Sequence, residues 1–302
     1  VILDEGAVHR LLRFEDLIPA IAQALAELSA GRVVQPIRSI LPITAHRGFF
    51  GVMPAYAGAL GAKLVTFYPH NEGIPTHHAV ILLFRPETGE PIAILDGRLI
   101  TEMRTAAASA VATQLLARPA ASVLAILGSG VQARSHLRAL ALVRPLREVR
   151  VWSPRNAQAF ATRHGVKAMA SPEETVRGAD LVVVATSSQT PVLRGQWLSP
   201  GAHVNAVGAT RPDWRELDDD LMARARLYVD SLEAARQESG DVMAARDLVA
   251  EIGEVVSGVQ PGRRSAEEIT VFKSVGVAVE DVAAADLVYH ASLRIPSDAP
   301  DA

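Results

Sequence analysis

The chain has 302 residues, 49% of them hydrophobic, 21% charged and 5% aromatic, with 30 Lys and Arg against 33 Asp and Glu and no cysteine. That length suffices for one large or two ordinary domains, each with a full core. The missing cysteines exclude a disulfide scaffold, a thiolate zinc site, an iron–sulfur cluster and a cysteine nucleophile, and the net charge of −3 speaks against a nucleic-acid or anionic-membrane binder.

In chain order, Leu17, Ile18, Ile21, Leu25 and Leu28 recur at helical spacing, with Pro19 in the first turn and Gly31 as the stop. Strand-like runs follow at 33–40, 48–53, 62–68, 79–85 and 91–96, the last two joined by a turn at Thr88-Gly89. This predicts an antiparallel region with a helix against it. An Ala-rich helix over 99–117 ends at Arg118-Pro119. Apolar strands at 123–127, 149–152, 181–186, 203–207 and 227–230 then alternate with helices at 132–143 and 156–164 and a capping box at Ser171-Pro172-Glu173-Glu174. That alternation predicts a parallel sheet covered on both faces. A last helix over 275–292 is expected to return to the first domain, and the polar tail 296–302 to fray. The fold class is therefore α/β, a Rossmann dinucleotide-binding domain over 113–276 plus a smaller α+β domain formed by 1–112 and 277–302. The acidic first twenty residues show no leader pattern, and the longest apolar runs fall far short of the roughly 20 residues that span a bilayer. A soluble cytoplasmic protein is expected.

Gly128-Ser129-Gly130-Val131-Gln132-Ala133 is G-x-G-x-x-A, directly after an apolar strand and opening a helix. The first Gly permits the tight turn, the second lets backbone approach a pyrophosphate, and the helix N-terminus offers N–H groups to phosphate. About 20 residues on, where an acid selects NAD, stand Ser153 and Arg155 instead, so NADP(H) is preferred and NAD(H) possible. Ligands lie beyond the carboxyl ends of parallel strands, which nominates Thr186, Ser187, Ala206, Val207, Gly208 and Asp230. Three cations sit in apolar surroundings: Arg38 in the run 33–41, Lys63 on a strand face with Val65 and Phe67, and Arg104 on a helix face with Ala107, Ala108 and Val111. Either carboxylates elsewhere neutralise them or they await an anionic ligand. His77-His78 lies in a strand, where neighbouring side chains point to opposite faces, so no metal is expected. Tyr56 and Phe67 belong either to a cleft or to the core.

The chain resembles the ornithine cyclodeaminase/mu-crystallin family, most closely its mu-crystallin, or ketimine reductase, branch. The resemblance spans nearly the whole sequence. It is carried by GVMPAY at 51–56, AKLVTFY at 62–68, RTAA at 104–107, the glycine motif, NAVGATRPDWRELDD at 205–219, YVDS at 228–231, ESGD at 238–241 and VFKS at 271–274. It implies a homodimer paired through the N-terminal domains, with Arg38, Lys63 and Arg104 on a substrate carboxylate, Asp230 at the active site, Ser153 and Arg155 near a 2′-phosphate and Ser274 near the nicotinamide. Pro154 departs from the branch's pattern. So does Gly51 from that of the cyclodeaminases, which carry a Glu there for amine chemistry. The resemblance therefore implies NAD(P)H-dependent reduction of a cyclic imino acid, with Lys63 or Asp230 handling the proton. An amino-acid dehydrogenase, a cyclodeaminase and a non-catalytic ligand binder are the rivals.

Overall fold

The computed structural model describes residues 1–245 and 248–294, so the tail 296–302 lies outside the described residues. The chain begins with a short strand, β1 (Ile2–Leu3), and a helix, α1 (Glu5–Leu11), that the sequence pattern did not reveal. The amphipathic helix α2 (Phe14–Ser29) follows, with Pro19 still in its first turns and Leu17, Ile21 and Leu25 buried. Five strands come next: β2 (Ser39–Ile43), β3 (Gly48–Ala57), β4 (Ala59–Phe67), β5 (His77–Phe84) and β6 (Pro91–Asp96). They form one sheet in the order β1-β6-β5-β4-β3-β2, antiparallel except for the β1–β6 pair. The expected strand at 33–40 is not formed. Pro36 has no N–H to give a ladder, so only Val34 bridges, to Tyr56, and pairing starts at Ser39 on the sheet edge, where Pro42 is tolerated.

Register divides this sheet cleanly. Met53, Lys63 and Ile81 are cross-strand partners on one face, and all are buried. Helix α3 (Gly97–Leu116), capped by the Asp96 side chain, packs there with α2. Its alanines at 106, 107, 108, 110 and 112 are fully buried; their small size lets a helix buried all round approach its neighbours closely. The opposite face carries Val52, Leu64 and Val80 in one row and Ala62, Leu82 and Ile94 in the next. Tyr56 lies on that outer face, half-exposed, and so not with Lys63.

The second sheet is wholly parallel. In chain order it contains β7 (Val123–Leu127), helix α4 (Val131–Val143), β8 (Glu148–Trp152), α5 (Ala157–His164), β9 (Lys167–Ala168), α6 (Pro172–Val176) and β10 (Leu181–Val184). Then come β11 (His203–Ala206), α7 (Asp219–Arg224), β12 (Arg226–Val229), α8 (Leu232–Glu238) and α9 (Gly240–Met243). Last are β13 (Leu248–Glu251), α10 (Ile252–Val256) and β14 (Thr270–Lys273). The order is β13-β12-β14-β11-β10-β7-β8-β9. Progress along the sheet reverses between β7 and β10, which opens a crevice at their carboxyl ends. The final helix, α11 (Ala278–Leu293), returns to pack on β3, β4 and α2 as expected. It starts three residues later than the sequence pattern indicates, because residues 274–276 are bound elsewhere.

Candidate active site

The glycine turn sits at the β7–β10 crevice. Gly128 has φ +119°, and a Cβ there would fall 2.2 Å from the Ala185 carbonyl, so no other residue fits. Gly130 faces open space and caps α4 with no side chain, which leaves the first-turn N–H groups of α4 pointing into the crevice. A dinucleotide pyrophosphate suits this cradle. Ser129 Oγ donates to Ser153 Oγ at 2.8 Å, joining the turn to the end of β8, and Arg155 stands exposed beside it. Val131 is half-exposed and Gln132 has a buried amide oxygen with no hydrogen bond among the described residues.

The other strand-end residues are arranged differently from the simple expectation. The Thr186 hydroxyl and the Gly208 N–H are both held by the Glu216 carboxylate, at 2.6 and 2.7 Å. Val207 donates its N–H to Val184 O, and Ala206 O accepts from Ser274 N–H. Ser187 is exposed. These residues stand at and beyond the carboxyl ends of β10 and β11, with four of their polar groups already committed.

The three cations converge, and each has found carboxylates. Lys63 Nζ lies 2.6 Å from Asp281 Oδ2, with both side chains buried. Arg104 donates from Nε to Asp281 Oδ1 at 3.0 Å and from Nη1 to Glu280 Oε2 at 2.7 Å. Arg38 donates from Nε to Glu238 at 2.9 Å and from Nη2 to the carbonyls of Val275 and Gly276, both at 2.6 Å. It also lines the cavity between the two sheets, with Gln35, Met53, Ser231, Glu238 and Gly276. Lys63 and Arg104 lie deeper, under the segment 274–277. Gly276 has φ +78°, and a Cβ there would meet Arg104 Nη1 at 2.5 Å.

Asp230 organises that segment. Its Oδ2 accepts from Ser274 Oγ at 2.9 Å, Val275 N–H at 2.8 Å and Gly276 N–H at 2.6 Å, and its Oδ1 accepts from Ser231 N–H at 3.0 Å. Both oxygens are thus occupied, and the carboxylate fixes the loop that covers Arg104. Ser274, expected near a nicotinamide, is brought to Asp230.

Burial and neighbours set the protonation of the cluster. Burial pushes the Lys63 ammonium down to about 8; Asp281 opposes this, while Arg104 and Arg38 reinforce it. Burial pushes Glu280 up to about 8 against the pull of Arg104, with Asp230 and Asp281 adding to the rise. Asp281 is driven up by burial, yet Arg104 and Lys63 together hold it below the ordinary carboxylate range. His77, on the same sheet face as Lys63 by the β4–β5 register, is lowered to about 4 by burial and then by Lys63 and Arg104. Glu238, Glu280, Asp281 and His77 were missed as site residues. The first three are the counter-charges of the predicted cations. The signal for two of them was present, since Glu280-Asp281 interrupts the apolar run of α11 just as Lys63 interrupts its strand. Among the described residues there is no group of three or more His, Asp and Glu placed to hold a metal, and no helix is long and apolar enough to cross a membrane.

A doubly wound parallel sheet with a glycine turn at its switch point, joined to an antiparallel sheet and helix that bury Lys63 and Arg104, defines a dinucleotide-binding α/β fold. The profile of the ornithine cyclodeaminase/mu-crystallin family matches residues 1–294, and the chain belongs to that family. It is 51% identical to the ketimine reductase mu-crystallin of Mus musculus over 286 residues, 90% of this chain and 91% of that one. The structure of Thermococcus litoralis Δ1-pyrroline-2-carboxylate reductase in complex with NADH and L-proline superposes with a TM-score of 0.93 at 38% identity, covering 97% of both chains. An archaeal alanine dehydrogenase dimer with bound NAD gives a TM-score of 0.92 at 35% identity, over 97% of this chain and 96% of that one.

Proposed function

We infer that the protein is a cytoplasmic, homodimeric NAD(P)H-dependent reductase of cyclic ketimines. Its substrates are Δ1-piperideine-2-carboxylate and Δ1-pyrroline-2-carboxylate, and its products the cyclic L-amino acids. The observation that carries the reading is the convergence of Arg38, Lys63 and Arg104 on the segment 275–281, with Arg38 lining the cavity between the two sheets. The likeness to a ketimine reductase and to a reductase holding NADH and L-proline supports it. A bound reduced nicotinamide supplies the hydride that adds to the imine carbon, while the ring nitrogen gains a proton. The chain's part is orientation and electrostatics. Arg38, Lys63 and Arg104 anchor the substrate carboxylate. Lys63 is the favoured proton donor, being an ammonium already lowered to about 8. Asp230, whose oxygens are occupied, acts by holding 274–276 in place.

Gly128, Ser129, Gly130, Val131 and Gln132 hold the pyrophosphate, with Thr186, Ser187, Ala206, Val207, Gly208 and Ser274 along the rest of the cofactor. Ser153 and Arg155, in a place without an acid, favour NADP(H) over NAD(H). The first sheet with its returning helix, 1–112 and 277–302, binds substrate and pairs with a second copy, and 113–276 carries the cofactor. Leu41, Tyr56, Val80 and Ile94 are between 41% and 58% exposed on the outer face of the first sheet, an apolar surface suited to that pairing. Gly51 supports reduction over cyclodeamination, since it brings no carboxyl to the Lys63 face.

The test is NADPH and NADH oxidation against five- and six-membered cyclic ketimines, pyruvate plus ammonia, and ornithine. Turnover of preformed imine without ammonia is expected. Strict ammonia dependence favours the amino-acid dehydrogenase, a second reading supported by the archaeal alanine dehydrogenase likeness.

A further inference from the structure

Glu216, Asp241 and Lys273 are all fully buried and come from three separate segments, and none of them has a part in the reaction set out above. Glu216 closes on four donors. Its Oε1 accepts from the Thr186 N–H at 2.8 Å and the Thr186 hydroxyl at 2.6 Å. Its Oε2 accepts from the N–H groups of Gly208 at 2.7 Å and Ala209 at 3.0 Å. Thr186 follows β10 and Gly208 follows β11, so one carboxylate ties the loops at two adjacent carboxyl strand ends. The fit is tight, because a Cβ on Gly208 would lie 2.3 Å from Glu216 Oε1 and 2.4 Å from Thr186 O.

Glu216 is itself held. Asp241 Oδ1 accepts from the N–H groups of Glu216 and Leu217, each at 3.0 Å. Asp241 Oδ2 faces Lys273 Nζ at 3.5 Å, and neither atom has a hydrogen-bond partner among the described residues. Burial pushes Glu216 up, and the Lys273 charge works against that rise. Two buried carboxylates around one buried ammonium are costly, and apolar residues of similar volume often serve stability as well or better. A cluster that stability alone does not require, placed at the strand ends that face the crevice, calls for a positional reason.

The geometry points to Glu216 as a positioning residue for the dinucleotide, with Asp241 and Lys273 holding it. The three set the separation of the 186–188 and 207–209 loops without touching the cofactor. This rests on the reading of the protein as an NAD(P)H enzyme.

Glu216→Gln keeps the size but replaces one oxygen with an NH2 group that opposes backbone N–H donors, so one loop is pushed away. The expected result is a Kd for NADPH, read by fluorescence titration, raised about 10-fold or more. KM for NADPH rises with it, while kcat and the imine KM at saturating cofactor stay within about twofold. Lys273→Met moves Kd in the same direction. A lowered melting temperature with unchanged Kd and KM is the signature of a merely structural role and overturns the inference. If Glu216→Gln does not fold, Lys273→Met and Asp241→Asn decide, since both act on the cofactor only through Glu216. A raised Kd in either supports the inference, and unchanged Kd in both overturns it. Wild-type protein that binds neither NADPH nor NADH overturns the enzyme reading and this inference together. Intact wild-type binding with unaffected variants overturns the inference alone.

Discussion

Lys63→Met removes one charge and little volume from a side chain that is 2% exposed. Its partner Asp281 keeps a second cation, Arg104, at 3.0 Å. Breaking a buried pair costs about 3–5 kcal/mol when it strands a lone charge. Here the charge is not stranded and a desolvated ammonium is removed, so the stability loss is expected below about 3 kcal/mol. The functional loss is larger in kind. A charge-assisted hydrogen bond to a carboxylate contributes about 1.5–3 kcal/mol, which is a rise in KM of about 10- to 150-fold. The assay is NADPH oxidation with Δ1-piperideine-2-carboxylate, beside the same ring lacking its carboxylate. The rise in KM is expected on the acid and not on the plain imine, whereas loss of the proton donor lowers kcat on both. An equal rise in KM on both, or an unchanged KM on the acid, refutes the anchor. With Lys63 and Glu280 both near 8, wild-type KM is expected to rise above about pH 8, as Lys63 loses charge and Glu280 gains it beside Arg104. Stability follows other signs. The folded state holds the Glu280 proton between the model-compound value of 4.5 and about 8, so that contribution falls with pH. Lys63 is deprotonated in the fold between about 8 and 10.5, so its contribution rises there.

Gly128→Ala forces a Cβ to 2.2 Å from Ala185 O at φ +119°. It is expected to cost at least about 1–3 kcal/mol of strain in urea unfolding and to abolish NADPH binding by titration. Arg155→Ala is expected to raise KM for NADPH about 10-fold and leave NADH within twofold, as loss of a phosphate contact requires; equal effects on both cofactors refute the 2′-phosphate assignment. Val80→Asp places a charge on the open apolar sheet face and is expected to yield a monomer in sedimentation, against a wild-type dimer.

What was legible follows the reach of local rules. The 3.6 period of α2 and the twofold alternation of β3 to β6 are properties of contiguous residues, so they were readable. Strand β14 was not, although it lies between β11 and β12 at the centre of the second sheet. Its four residues offer no period, and they become a strand only because two parallel neighbours supply both ladders. The start of α11 was placed too early for a similar reason. Val275 and Gly276 are apolar and small, but their N–H groups are claimed by Asp230, 45 and 46 residues upstream. In the site, cations were visible as lone charges on apolar elements, whereas the Glu238 pairing with Arg38, across 200 residues, left no local mark.

Pairing does not make the three cations equivalent, and the difference is testable. Arg104 is raised despite full burial, because Asp281 and Glu280 outweigh desolvation. Lys63 is lowered although Asp281 stands 2.6 Å away. Arg104 therefore meets two carboxylates, Glu280 and Asp281, and Lys63 shares one of them. An incoming carboxylate gains most at the under-neutralised cation. Removing Arg104 takes a partner from both Glu280 and Asp281, whereas removing Lys63 takes one from Asp281 alone. Arg104→Met is thus expected to lose more stability in urea unfolding than Lys63→Met. Lys63→Met is expected to lose more substrate affinity per folded molecule. Equal losses on both axes, or the reverse order, would show that the counter-charges of the cluster do not distinguish brace from receptor.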